Sequence, residues 1–155
     1  MKKQIRIGVF ETNSSSTHSI CISNTNDLIL PNDIEFKFGD FGWEYDRLSS
    51  IAEKASYLYT ALYAFNYLDY IDELKQIFIN KGITSTFDDP NDVDCGYIDH
   101  NYGLSDFLEN IKNDENKLFQ FLFSPLSFVL TGNDNNEHDI EINVDYDHIE
   151  FYKGN

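Results

Sequence analysis

The sequence is poor in cysteine, proline, tryptophan and positive charge. Its 155 residues include two Cys, three Pro, one Trp and one Met. Cys21 and Cys95 stand far apart and in no metal-type spacing. That excludes a disulfide framework and a thiolate zinc site, and points to a reducing compartment. No apolar run approaches the ~20 residues of a membrane span. The opening Met-Lys-Lys-Gln-Ile-Arg-Ile has charge but no apolar region of signal-peptide length. The expectation is a soluble, intracellular chain with no membrane contact. Repeats, low-complexity tracts and linkers are also missing, so residues 1–155 read as one domain, long enough to bury an ordinary core.

Positive charge is scarce against negative. Lys and Arg number 11 against 27 Asp and Glu, a formal net charge of -16. The imbalance is uneven: residues 1–81 carry 11 acids and 8 bases, residues 82–155 carry 16 acids and 3 bases. Lys2, Lys3 and Arg6 alone cannot neutralise many phosphates, so direct nucleic-acid binding is excluded. A surface of this sign attracts a basic partner, or serves solubility alone. Aromatic residues, by contrast, are plentiful: ten Tyr and thirteen Phe make up most of a 15% aromatic share. That composition argues for a packed core and against disorder.

Periodicity places the elements. Ile5, Ile7 and Val9 alternate as a half-buried strand, and residues 17–23 alternate as a second. If these two pair, the polar residues between them form a connection longer than a tight hairpin. A third strand covers Ile34 to Phe38, followed by two glycines among aromatics that bend the chain and pack Phe41 or Trp43 at the core edge. A helix is expected from about Asp46 to Leu68, with Leu48, Ile51, Ala52, Ala55, Leu58, Tyr59 and Leu62 on its apolar face and Asp46 or Ser49 as cap. A second runs from Tyr67 to Asn80, capped by Asn66, with Leu68, Ile71, Leu74, Ile77 and Phe78 inward and Gly82 as its stop. Ile83 to Phe87 forms a short strand and Asp88 to Tyr102 an irregular acidic excursion. Helices over 105–112 and 114–123 follow, the latter ended by Ser124-Pro125. Strands over 126–131, 140–144 and 149–152 close the chain, the first two joined by the turn at Gly132 to Asn136. The expected fold is α+β: a single domain with a mostly antiparallel sheet packed against two main helices and a shorter helical pair.

The densest chemistry lies in Phe10-Glu11-Thr12-Asn13-Ser14-Ser15-Ser16-Thr17-His18-Ser19. Ser14, Ser15 or Ser16 with His18 as base and Glu11 as orienter supplies the residue types of a hydroxyl nucleophile. The glycine-flanked serine of a nucleophile elbow is missing, so no catalytic residue is assigned. Converging hydroxyls and backbone N–H groups suit a phosphate or carboxylate, with Phe10 or Trp43 stacking on a base. This gives one functional reading: a nucleotide-like small molecule bound or hydrolysed at Glu11, Asn13, Ser14, Ser15, Ser16 and His18. The bland reading is a loop whose side chains satisfy their own backbone.

No metal site or cofactor is expected. Asp134, Asn136, Glu137 and Asp139 miss the spacing of a calcium loop, as do Asp88, Asp89, Asp92 and Asp94. His100, His138 and His148 have no paired ligand spacing. The carboxylates suggest a different use. Asp88, Asp89, Asp92, Asp94 and Asp99 form a candidate partner-binding row, and acids along the C-terminal half imitate a phosphate backbone. The bland alternative is a solvated acidic face.

The run from Arg6 to Ser19, with its phenylalanine-glutamate-threonine-asparagine-serine opening and histidine-serine close, resembles a group of small uncharacterised bacteriophage and prophage proteins. Phe41-Gly42-Trp43-Glu44-Tyr45, leading into Lys54 to Leu62, is similar to the same group. The resemblance covers roughly the first 65 residues and brings no known activity. It implies a mobile-element origin, the cytoplasm of a bacterial host, and action against host defence or host enzymes. The leading expectation is therefore a non-enzymatic inhibitor of a host protein with a basic surface, by nucleic-acid mimicry in its sharpest form. The sequence does not fix an oligomeric state.

Overall fold

Ser50 starts the helix around which the other elements pack. Glu53 N donates to Ser50 Oγ at 3.2 Å and Ser50 N donates to Glu53 Oε2 at 3.0 Å, a reciprocal cap that opens α1, Ile51–Ala64. Backbone N–H groups of Ser50 and Ser49 hold the Glu53 carboxyl below the usual carboxylate range. The expected start at Asp46 is thereby corrected, since Asp46–Leu48 is a short strand. The far end is corrected too. Asn66, at φ 59°, turns the chain through the left-handed region instead of capping the next helix, and α2, Leu68–Asn80, follows Tyr67. Gly82, at φ 73°, ends the turn beyond α2, as its glycine suggested.

The computed structural model describes residues 3–6, 16–25, 27–42, 46–98, 104–133, 139–142 and 149–154. Within them the strands are β1 (Lys3–Arg6), β2 (Ser16–Ser23), β3 (Asp33–Phe36), β4 (Asp40–Phe41), β5 (Asp46–Leu48), β6 (Thr84–Phe87), β7 (Tyr97–Ile98), β8 (Phe128–Asn133), β9 (Asp139–Ile142) and β10 (Ile149–Gly154). The helical pair is α3, Leu104–Asn113, and α4, Glu115–Phe123. Asp114 separates them by accepting from Asn116 N at 2.9 Å and Lys117 N at 3.4 Å.

The main sheet is antiparallel in the order β10-β2-β8-β5. Because β10 and β8 fill both edges of β2, no edge is left for β1, which pairs with β9 instead. β1 and β2 therefore do not pair with each other. Two smaller pairs, β3–β6 and β4–β7, are parallel. Parallel neighbours need a long crossover, and α1 with α2 supplies it between β3 and β6. The whole is an α+β fold with an antiparallel main sheet and smaller antiparallel and parallel pairs beside it.

One core cluster joins these layers. Ala55, Leu58, Tyr59 and Leu62 of α1 are buried as the periodicity predicts, together with Tyr57 and Ala61. Ala52 is exposed, whereas Ile51 beside it packs against the core. From α2 come Ile71, Leu74 and Phe78; from α3 Phe107, Leu108 and Ile111; from the main sheet Ile20, Ile22 and Val129. Phe41 packs edge-on against Tyr57 with ring centres 5.4 Å apart, while Trp43 lies outside the described residues.

Candidate functional site

Aromatic rings from three elements build one wall. Tyr59 of α1 stacks on Phe38 with centroids 4.5 Å apart, and Tyr63, one turn later, stands edge-on to both rings. Phe87, the last residue of β6, stacks on Phe36 at 4.6 Å and meets Tyr59 at 5.5 Å. Of these rings Tyr59, Tyr63 and Phe87 line a surface cleft of about 420 Å³, rimmed by Leu68, Asp72 and Lys75 of α2 and by Asp88, Asp89 and Pro90, while Phe36 and Phe38 stack against them. Leu68, expected to point inward, is instead 45% exposed at this rim, since the first turn of α2 overhangs the cleft.

The carboxylates at the rim are held from behind. Asp88 Oδ2 accepts from Phe38 N at 2.9 Å, Asp88 N donates to Phe36 O at 2.9 Å, and the Asp88 carbonyl accepts from the Tyr59 hydroxyl at 2.8 Å. Asp89 Oδ1 accepts from Asn91 N at 2.8 Å and Asn91 Nδ2 at 2.9 Å. Among the described residues no hydrogen bond is made to the second oxygen of either carboxylate. Burial is the main force raising the Tyr59 phenol, helped by the Tyr63 hydroxyl, so it stays neutral. One cation already reaches the cleft: Lys75 Nζ lies 5.2 Å above the centre of the Phe87 ring and 3.7 Å from Asp72 Oδ1.

Beyond the rim the acidic segment leaves and returns to the same place. It departs at Asp88, fastened to Phe36 and Phe38, and comes back at Tyr97, whose N–H donates to Gly39 O at 3.1 Å. Gly96, at φ 64°, makes the return possible; a Cβ there would stand 2.1 Å from Gly39 O. Gly39 N in turn donates to Thr60 Oγ1 at 3.1 Å, tying the fastening point to α1. Between these anchors Asp92 and Asp94 are exposed, beside Val93 and Tyr97 at 44% and 51% exposure. Ion pairs among the described residues join Lys37 to Glu35, Lys75 to Asp72 and Lys81 to Glu115. None involves Asp88, Asp89, Asp92 or Asp94. Asp99 lies outside the described residues.

The serine-rich stretch meets the structure only at its end. Glu11, Asn13, Ser14 and Ser15 lie outside the described residues, and Ser16 begins β2. His18 is fully buried, its Nδ1 sharing a hydrogen bond of 3.1 Å with the Tyr57 hydroxyl. Burial pushes the Tyr57 phenol up, so this partner stays neutral. A second buried polar group sits one turn earlier on α1. Lys54 Nζ donates to Ser124 O at 2.7 Å and Ser127 O at 3.1 Å, tying α1 to the end of α4. Burial lowers its pKa to about 8, opposed by the Glu53 charge. Ser127 Oγ donates to Gln120 O at 2.7 Å and accepts from Ser23 N at 2.9 Å.

Sequence reasoning named the aspartates but not the cleft. Tyr63, Asp72, Lys75 and Phe87 were missed, and Tyr59 was read only as core. The i,i+4 pair Tyr59 and Tyr63 was a signal on the page, since both rings share one side of α1. The contributions of α2 and β6 had no local signature.

Fold and cleft together define the class: an α+β domain bearing an acidic surface cleft with aromatic walls. Compared with family models, with curated proteins and with solved structures, the chain finds no match in any of the three. Among the described residues no helix is long and apolar enough to cross a membrane.

Proposed function

We propose that the protein acts by binding a basic partner protein and not by catalysis, with the cleft and the 88–97 segment as its contact surface. One observation carries this reading. Among the described residues Asp88, Asp89, Asp92 and Asp94 form no ion pair, and they share one short segment with exposed Val93 and Tyr97. Charge kept for solubility has no need of apolar neighbours; a docking surface uses both, the acids for steering and the apolar groups for anchoring. In line with the phage resemblance, the partner is a host defence or nucleic-acid-handling protein, whose basic channel the acids would occupy. The serine-rich loop has no comparable support, because its imidazole is bonded inside the core.

The test is a capture experiment from bacterial lysate with the wild type and an Asp88→Asn/Asp89→Asn/Asp92→Asn/Asp94→Asn variant, washed at low and at high salt. The expected result is a basic protein retained by the wild type, shed as salt shortens the screening length, displaced by added DNA and absent from the variant. Capture indifferent to salt, DNA and the four substitutions would overturn the reading.

A further inference from the structure

We infer that the cleft between α1, α2 and the end of β6 receives an arginine side chain of the partner. The inference rests on the partner-binding reading and adds to it the group recognised and the place. At about 420 Å³ the cleft has the size of a small-ligand pocket. Its wall offers the outer face of the Phe87 ring, the one not stacked on Phe36, and its lining brings carboxylates from two segments, Asp72 of α2 and Asp88 with Asp89 after β6. A guanidinium matches both, because it is planar, stacks on aromatic rings and donates in a fork to carboxylate oxygens. An ammonium can sit over a ring, as Lys75 does, but has no planar fork to donate to carboxylate oxygens. Asp92 and Asp94 do not line the cleft, so they steer and do not select.

Lys75 shows that a cation is accommodated here. Its Nζ lies over the Phe87 ring at 5.2 Å, yet its 3.7 Å approach to Asp72 Oδ1 is too long for a hydrogen bond, and the side chain is 44% exposed. A loosely held internal cation is displaceable. An arriving guanidinium gains the ring face and carboxylates from both segments, while Lys75 turns to solvent.

The test uses the full chain, labelled with nitrogen-15 and titrated with a capped glycine peptide bearing one central arginine. Its lysine and citrulline counterparts serve as controls. Amide shifts are expected at Asp72, Lys75, Phe87, Asp88 and Asp89, with arginine ahead of lysine and citrulline silent. Asp88→Asn keeps an acceptor for Phe38 N and should weaken arginine binding about tenfold, the worth of one charge-assisted hydrogen bond. Lys75→Met removes the competing cation and should tighten binding roughly threefold; a damaged fold would weaken it. Shifts confined to Asp92 through Tyr97, or equal response to lysine and arginine, would overturn the arginine site while leaving salt-sensitive partner capture standing. A bound arginine peptide with no partner captured would instead sink the partner reading and leave the site.

Discussion

Two sides of α1 carry polar groups, and they are treated in opposite ways. On the side facing the main sheet and α4, Lys54 and Tyr57 are buried and their polar ends are bonded, to the Ser124 and Ser127 carbonyls and to His18. On the side facing β3 and β6, Tyr59 and Tyr63 share the cleft with Asp88 and Asp89, whose second carboxylate oxygens accept no hydrogen bond among the described residues. The first side is polarity spent on fixing the fold, since a buried donor or acceptor must find a partner or cost stability. The second is polarity held in position but left open. Satisfied groups explain structure; positioned and unsatisfied ones point outward, to something that binds.

The sharpest way to break this contrast is to remove Lys54. Lys54→Ala takes a donor from the Ser124 and Ser127 carbonyls, the first of which keeps its bond from Ser127 N, and opens a cavity, and should cost about 3 kcal/mol in urea unfolding. A loss under about 1 kcal/mol would mean that the sealed side is not sealed. Lys54 also sets a pH signature. Its pKa is about 8 in the folded chain against 10.5 for the free side chain, so between those values the unfolded chain binds more protons and stability rises with pH. Burial raises Cys21 from 9.0 to about 11, and that acts the other way above pH 9, as do the buried tyrosines at higher pH. Between pH 8 and 9 the wild type should therefore gain about 1 kcal/mol relative to Lys54→Met. Equal slopes in the two proteins would contradict it.

Next in size is Gly96→Ala. The added methyl would stand 2.1 Å from a backbone oxygen at a positive φ, so about 2 kcal/mol of stability should be lost. The 84–98 amides should lose hydrogen-exchange protection before those of α1. The smallest effect belongs to the open side. Asp92→Asn/Asp94→Asn should change stability by less than about 0.5 kcal/mol while reducing partner capture. A large loss of stability there would erase the distinction between the two sides.

The helices were legible because their signals are local: apolar residues at three- and four-residue steps, Gly82 as a stop, Ser124-Pro125 as an end. The start of α1 was also written in Ser50-Ile51-Ala52-Glu53, but the apolar Leu48 drew the expected boundary back into β5. Strand partners were not legible. A period of two says that Ile34 and Phe36 face one side, and nothing in it says that β6 will lie parallel to β3 some fifty residues on. The cleft inherits that blindness, since its wall exists only once the crossover brings Phe87 beside Tyr59. Lys54 was invisible for another reason. A single lysine in an amphipathic helix reads as solvent-facing until the carbonyls that receive it are known.

The fastening of the acidic segment at Phe36–Gly39 on both its departure and its return has a consequence for how this protein can change. The two anchors lie side by side, so the residues between them close a ring that the remainder of the chain does not have to follow. Lengthening such a ring costs little, about 0.6 kcal/mol for each doubling. Residues between Pro90 and Cys95 are thus free to drift in sequence and in number, provided that Gly96 keeps its close passage over Gly39. A lineage forced to track a changing partner could rewrite that ring repeatedly without rebuilding the core beneath it.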